Sequence, residues 1–159
     1  MVSVRPFRGY LANKSLAQKL IAPPYDVINT VEARRMAEGN QYSFLNVNKP
    51  EITLPVDTDP YADIVYQTGR KNLFDFIQKG WLEQDSEARF YVYSQTMQGR
   101  EQIGLVSASS VSDYEQDLIK KHEKTLEKKE LDRTKLTDIQ GANVGPVFLT
   151  YRSRENTAI

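Results

Sequence analysis

Between Asp59-Pro60 and Gly80 lies the segment whose pattern most restricts how this 159-residue chain can fold. Tyr61, Ile64, Val65, Leu73, Phe76 and Ile77 form an apolar stripe at helical spacing. Asp59 supplies a capping carboxylate. Pro60 suits the first helical position, where its missing N–H would have had no partner. Gly80 provides the stop. A helix of this length must bury its stripe, so the rest of the chain has to supply a core around it.

The flanking segments are short. Val2, Val4 and Phe7 suggest a strand over residues 2–8, and Leu16, Leu20 and Ile21 share one face of a helix over 14–21. Pro23 and Pro24 hold 22–27 extended, because each proline fixes φ and restricts the residue before it. Asn29 with Glu32 three residues later predicts a capping box, opening a helix that passes Met36 and stops at Gly39. Residues 42–47 read as a strand and 48–58 as a proline-punctuated loop. Residues 90–96 and 101–109 read as a hairpin around Gln98-Gly99, with Gly104 marking a bulge or a close backbone approach. A loop near 120–128 leads into a helix ending at Gly141. Gly145-Pro146 then turns into a last strand over 147–151. The order βααβαββαβ gives an α+β class, a mixed or antiparallel sheet carrying helices. Residues 1–151 are expected to form a single domain, and 152–159 a polar tail.

Charge and composition remove several functions. Lys+Arg and Asp+Glu are both 21, so the net charge is zero, which disfavours a dedicated nucleic-acid binder but leaves room for a local basic pocket. The absence of cysteine excludes disulfides, thiolate catalysis and cysteine-ligated metals, and a single histidine excludes a multi-histidine metal site within one chain. A Mg²⁺ held by carboxylate and phosphate stays open. The N-terminal residues contain no apolar signal core, and no apolar run nears the ~20 residues needed to span a bilayer. The expectation is a cytoplasmic protein with no membrane partner.

The chemistry-bearing stretch surrounds that single histidine: Lys120-Lys121-His122-Glu123-Lys124-Thr125, continuing to Asp132-Arg133. Cations to bind phosphate oxygens, a carboxylate to move a proton or hold Mg²⁺, and a hydroxyl to orient are what a phosphate- or nucleotide-handling site needs. In this reading His122 binds phosphate or transfers a proton. Glu123 is a general base or Mg²⁺ ligand, and Lys120, Lys121 and Thr125 contact phosphate. Arg133 clamps it bidentately. Asp26 is a third catalytic candidate, on a loop stiffened by Pro23-Pro24. Each residue has a plainer reading. The run is then a solvated charged helix, Thr125 is an N-cap, Asp26 caps a turn, and Arg133 pairs with Asp132 or Glu130. Arg5, Arg8 and the Lys49-Pro50-Glu51 string are open to the same two readings. Tyr91, Tyr93 and Trp81 fit a packed core better than a base-stacking platform.

Six strings occur in one order: Pro6-Phe7-Arg8-Gly9, Ala22-Pro23-Pro24-Tyr25-Asp26-Val27, Asn40-Gln41-Tyr42-Ser43-Phe44-Leu45, Lys49-Pro50-Glu51, Ile119 to Thr125, and Asp132-Arg133. Together they resemble the N-terminal part of an uncharacterised family often labelled SpoOJ/ParA/ParB/RepB family proteins, over about residues 4–151. The resemblance implies a ParB/sulfiredoxin-like fold with a nucleotide phosphate site beside a polar motif at a helix start. It also implies that the chain is the N-terminal portion of a longer protein. The superfamily includes a CTP-hydrolysing DNA-segregation protein, sulfiredoxin, and nucleotide-dependent kinases of free serine. Without cysteine, sulfiredoxin chemistry is out. What remains implied is a phosphotransferase or phosphohydrolase using ATP, ADP or CTP with Mg²⁺ on a small metabolite such as serine or phosphoserine. The alternative is a ParB-like regulatory module that binds nucleotide or DNA without metabolic catalysis. A third reading is an interaction domain with no chemistry.

Overall fold

The stripe of residues 61–77 becomes the central helix. In the computed structural model, which describes residues 2–121 and 125–151, it runs from Asp63 to Gln78. Asp59 acts one turn before it, its carboxylate accepting the Tyr61 N–H at 2.9 Å, while Ala62 holds the cap position. The other end is a Schellman motif: Gly80 has φ +67°, its N–H bonds to Ile77 O and the Trp81 N–H to Phe76 O. The buried residues are Val65, Tyr66, Gly69, Leu73 and Phe76. Tyr61 and Ile64, which the spacing put on the buried face, are exposed.

The elements in order are β1 (Val4–Arg5), β2 (Tyr10–Ala12), α1 (Ala17–Leu20), α2 (Thr30–Ala37), α3 (Leu45–Asn48), a 3-10 turn (Pro50–Thr53), α4 (Asp63–Gln78), β3 (Leu82–Gln84), β4 (Tyr91–Met97), β5 (Arg100–Val106), β6 (Ala108–Ser109), α5 (Val111–Glu115) and α6 (Glu127–Gln140). The class is α+β. Instead of one sheet, the strands form three antiparallel pairs: β1 with β6, β2 with β3, and β4 with β5. The β4–β5 hairpin turns through Gln98 and Gly99, both at positive φ, as a two-residue turn requires. Gly104 makes neither a bulge nor a close approach: it pairs with Tyr93 in an unbroken register from Tyr91↔Val106 to Met97↔Arg100. The predicted capping box of α2 is complete, with Asn29 Oδ1 accepting from Glu32 N–H and Glu32 Oε2 accepting from Asn29 N–H, both at 2.9 Å.

Two expected strands are absent. Residues 42–47 turn instead into α3. Asn40 Oδ1 accepts the Tyr42 N–H, and Asn40 O accepts the Ser43 N–H. The Asn46 and Val47 N–H groups then bond three residues back. That chain of local bonds nucleates a helical turn, and an apolar run this short fits either period. Residues 147–151 are irregular: Val147 and Phe148 are exposed, and among the described residues no strand edge pairs with them. High β-propensity gives no strand without a ladder to join.

The main core packs Leu20, Val47, Leu73, Phe76 and Leu82 together, with Tyr42, Phe44 and Trp81 against them. The Tyr42–Trp81 and Phe76–Trp81 rings lie 4.6 and 4.9 Å apart, tilted or edge-on as the ring quadrupole prefers. A smaller cluster of Ala33, Leu45 and Ile52 joins α2 to α3. At Gly69 an added Cβ would lie 2.9 Å from Gln140 Nε2, 3.0 Å from Pro50 Cγ and 3.2 Å from Leu136 Cδ1. Gly69→Ala is expected to lower stability by about 1–2 kcal/mol, overpacking outweighing the helix-propensity gain of about 1 kcal/mol. A urea midpoint at or above wild type would contradict that packing.

Candidate functional site

Residues 48–54 are held by side chains from the helices around them. Arg34 of α2 donates to three carbonyls of this segment, Glu51 O at 2.7 Å, Ile52 O at 2.6 Å and Leu54 O at 2.8 Å. Before them, Gln140 of α6 donates to Val47 O at 3.1 Å and Asn72 of α4 to Asn46 O at 2.7 Å. Within the turn, Lys49 Nζ lies 3.1 Å from Glu51 Oε1, which also accepts the Thr30 hydroxyl at 3.2 Å. Both members of the ion pair are largely buried, their side chains only 14% and 11% exposed. The Lys49-Pro50-Glu51 string is thus an enclosed charged joint, not a surface loop.

Beside it, α6 contributes Asp132 and Arg133. Asp132 Oδ2 accepts from Arg133 Nε at 2.9 Å and Nη2 at 2.7 Å, while Oδ1 accepts the Tyr66 hydroxyl at 2.8 Å. Arg133 Nη1 reaches Asn48 O at 3.2 Å, and the guanidinium carbon lies 4.3 Å from the centre of the Tyr25 ring. A guanidinium over an aromatic face is attracted by the ring quadrupole. The strings at 22–27 and 132–133, far apart in sequence, therefore meet beside Asn48, the residue before the 49–51 string. Burial, followed by the bond to and charge of Asp132, pushes the Tyr66 hydroxyl well above the usual tyrosine range. Lys135 continues the cluster: its ammonium lies 2.6 Å from Asp63 Oδ1 and over the Tyr66 ring at 4.5 Å. The hydrogen bond from Lys135, more than its charge, holds the Asp63 carboxyl below the usual range. On the outer side of α6, Arg133, Thr134, Thr137 and Asp138 line a shallow open groove of about 410 Å³.

Of the residues singled out from the sequence, His122 and Glu123 lie outside the described residues, as does Lys124. Lys120 bonds Asp117 at 2.6 Å, drawing that carboxyl below its usual range, and Lys121 sits over the Tyr114 ring at 4.5 Å. Both lysines thus have local partners near α5. Thr125 is not the cap of α6; Leu126 holds that position, and the Thr125 hydroxyl donates to Glu130 at 2.6 Å. Asp26 is exposed beside Tyr25, with no hydrogen-bond partner among the described residues. Arg133 pairs with Asp132 and in addition gathers Tyr25 and Asn48. Tyr66 escaped the sequence reading. A tyrosine one position past an apolar stripe residue was the available signal, since a buried hydroxyl needs an acceptor and Asp132 provides it. The Pro6-Phe7-Arg8-Gly9 string has a structural role: the Gly9 N–H donates to the Tyr91 hydroxyl at 2.8 Å, which donates to Asp85 at 2.6 Å. Among the described residues no group of three or more metal-ligating side chains forms, and no helix is long and apolar enough to cross a membrane.

A family model described as "Protein of unknown function (DUF1015)" matches residues 4–159. No curated protein and no solved structure matches the chain.

The Tyr66–Asp132 bond makes a pH prediction. A tyrosine ionises near 10 when unfolded and higher in this fold, so its stabilising contribution is complete below pH 10 and is lost as the pH rises through the folded value. Tyr66→Phe is expected to cost about 1.5 kcal/mol near neutrality, the low end for a bond to a charged group. It should also flatten the fall in melting temperature above pH 10. Equal alkaline slopes in the two proteins would show that the bond does not stabilise the fold.

Proposed function

The chain belongs to the DUF1015 family, and from that premise we propose that its domain handles the phosphate of a small phosphorylated metabolite or nucleotide at the surface around Arg133. The observation that carries this reading is the placement of Arg133. Its guanidinium is fixed by Asp132, Asn48 and Tyr25 and borders the groove that Thr134, Thr137 and Asp138 line. Among the described residues it makes three hydrogen bonds, which leaves two of the five guanidinium N–H groups for a ligand. A held guanidinium loses little entropy when it binds phosphate. Threonine hydroxyls can bond phosphate oxygens, and Asp138 can accept a substrate hydroxyl or carry Mg²⁺ with the phosphate.

Within this reading the domain is a phosphotransferase or phosphohydrolase using ATP, ADP or CTP with Mg²⁺ on a metabolite such as serine or phosphoserine. In this reading Glu123 is the base and His122 a second phosphate contact, and Asp26 adds a carboxylate beside Tyr25. Such chemistry rests on positioning and charge stabilisation. The ParB-like regulatory module uses the same nucleotides, and turnover separates it from the enzyme.

The test is a melting-temperature panel with ATP, ADP, CTP, serine and phosphoserine, with and without Mg²⁺, on wild type, His122→Ala and Thr137→Val. Thr137 is exposed, so its variant should fold. One ligand is expected to stabilise wild type saturably, by about 2.7 kcal/mol at a hundred times its dissociation constant, and to do so less in both variants. Phosphorus NMR then detects turnover. A folded wild-type protein that shifts with none of these ligands overturns the proposal.

A further inference from the structure

Among the described residues the β4–β5 hairpin is a sheet of two strands, so each strand is also an edge. Two strands alone are marginal in water; a third strand or a packed face makes a sheet stable. Among the described residues the hairpin has neither. Tyr91 meets the Phe7 ring at its base, but no hairpin residue belongs to either apolar cluster, and Val92 to Met97 are all exposed.

The two edges are built differently. β5 carries Arg100 and Glu101, and charged side chains are one device by which a sheet keeps other strands off its edge. β4 has no such device. Tyr91 to Met97 include no charge and no proline, and no bulge interrupts the register with β5. It is the longest uncharged strand among the described residues. An edge of this kind presents a row of backbone N–H and C=O groups as a template for pairing.

We infer that the β4 edge pairs with β4 of a second copy of the chain, antiparallel across a two-fold axis, giving a four-stranded sheet in the order β5-β4-β4-β5. Self-complementarity points to a second copy. An axis through Ser94 overlaps the whole strand. It sets Tyr91 of one copy opposite Met97 of the other, Val92 opposite Thr96 and Tyr93 opposite Gln95, and each pair shares one face because side chains alternate. No like charges meet, since the strand has none. The charged β5 strands become the two outer edges, which closes the assembly at two copies. The contact is one strand long and leaves the sheet faces open, so it belongs with small, reversible interfaces.

Sedimentation equilibrium of the wild-type chain from about 10 μM to about 1 mM is expected to show reversible exchange between monomer and dimer. Two double variants test the surface at exposed positions, where replacement should leave the fold intact. Tyr93→Lys with Gln95→Lys sets ammonium groups opposite one another in a homodimer, and Tyr93→Glu with Gln95→Glu does the same with carboxylates. Each variant alone is expected to raise the dissociation constant about tenfold. Mixed in equal amounts, the two are expected to dimerise at least as tightly as wild type, because every opposed pair then has opposite charges. That recovery also shows that both variants fold. Hydrogen exchange gives a second readout: the amides of residues 91–97 that face away from β5 should slow as the wild-type concentration rises. A chain that stays monomeric throughout the range overturns the inference. So does loss of the dimer in both variants without recovery on mixing. A dimer that both variants keep is held by another surface, the exposed residues 147–151 being the candidate, and overturns it as well.

Discussion

Helix α4 can lie against α6 with the Pro50 turn between them because residue 69 has no side chain. Pro50, Leu136 and Gln140 all enter the space that a Cβ would take. That approach fixes the separation of the two helices, and the depth of segment 48–51 follows from it. Leu136 and Val47, both nearly inaccessible, seal the joint with apolar surface, and the Gln140 amide bonds Val47 O. Each such buried aliphatic side chain stabilises the fold by about 1.5–3 kcal/mol, more than any of the exposed ion pairs nearby.

Charge is arranged over this joint in an order that burial dictates. Exposed lysines lie over tyrosine rings, as Lys128 does over Tyr61, where the arrangement contributes little but keeps the heads in water. Deeper in, each charged group has directional partners: Arg34 has three carbonyls, and Asp132 has Arg133 and the Tyr66 hydroxyl. The same bonds that satisfy these groups also immobilise them. A guanidinium held on three sides is a poor surface ornament and a good ligand clamp, since its conformational entropy is lost on folding and not on binding.

The hairpin β4–β5 obeys different rules. Tyr91 ties its base to Gly9 and Asp85, while Val92, Ile103 and Leu105 are exposed along one face. Its register comes from the Gln98-Gly99 turn and the ladder alone. Hence a strongly patterned segment forms there without contributing to either apolar cluster.

What the sequence determined by itself is local. The stripe around Phe76, the Asn29–Glu32 capping box, the positive-φ stops at Gly39, Gly80 and Gly141 and the Gln98-Gly99 hairpin all rest on contacts within a few residues, so the α+β class was legible. Residues 42–47 were misread because an Asx turn at Asn40 and a bond from the Phe44 N–H to Leu20 O outweigh strand propensity. The candidate site was legible only as strings. Arg133 is marked in the sequence only by its residue type; its partners Tyr25 and Asn48, and the Tyr66 hydroxyl that bonds Asp132, lie many residues away. Tertiary structure alone decided that Lys49 is enclosed, that Lys120 and Lys121 pair near α5, and that Tyr66 meets Asp132. The reason is physical: burial and long-range hydrogen bonding depend on which surfaces the helices bring together, and the packing allowed by Gly69 sets that.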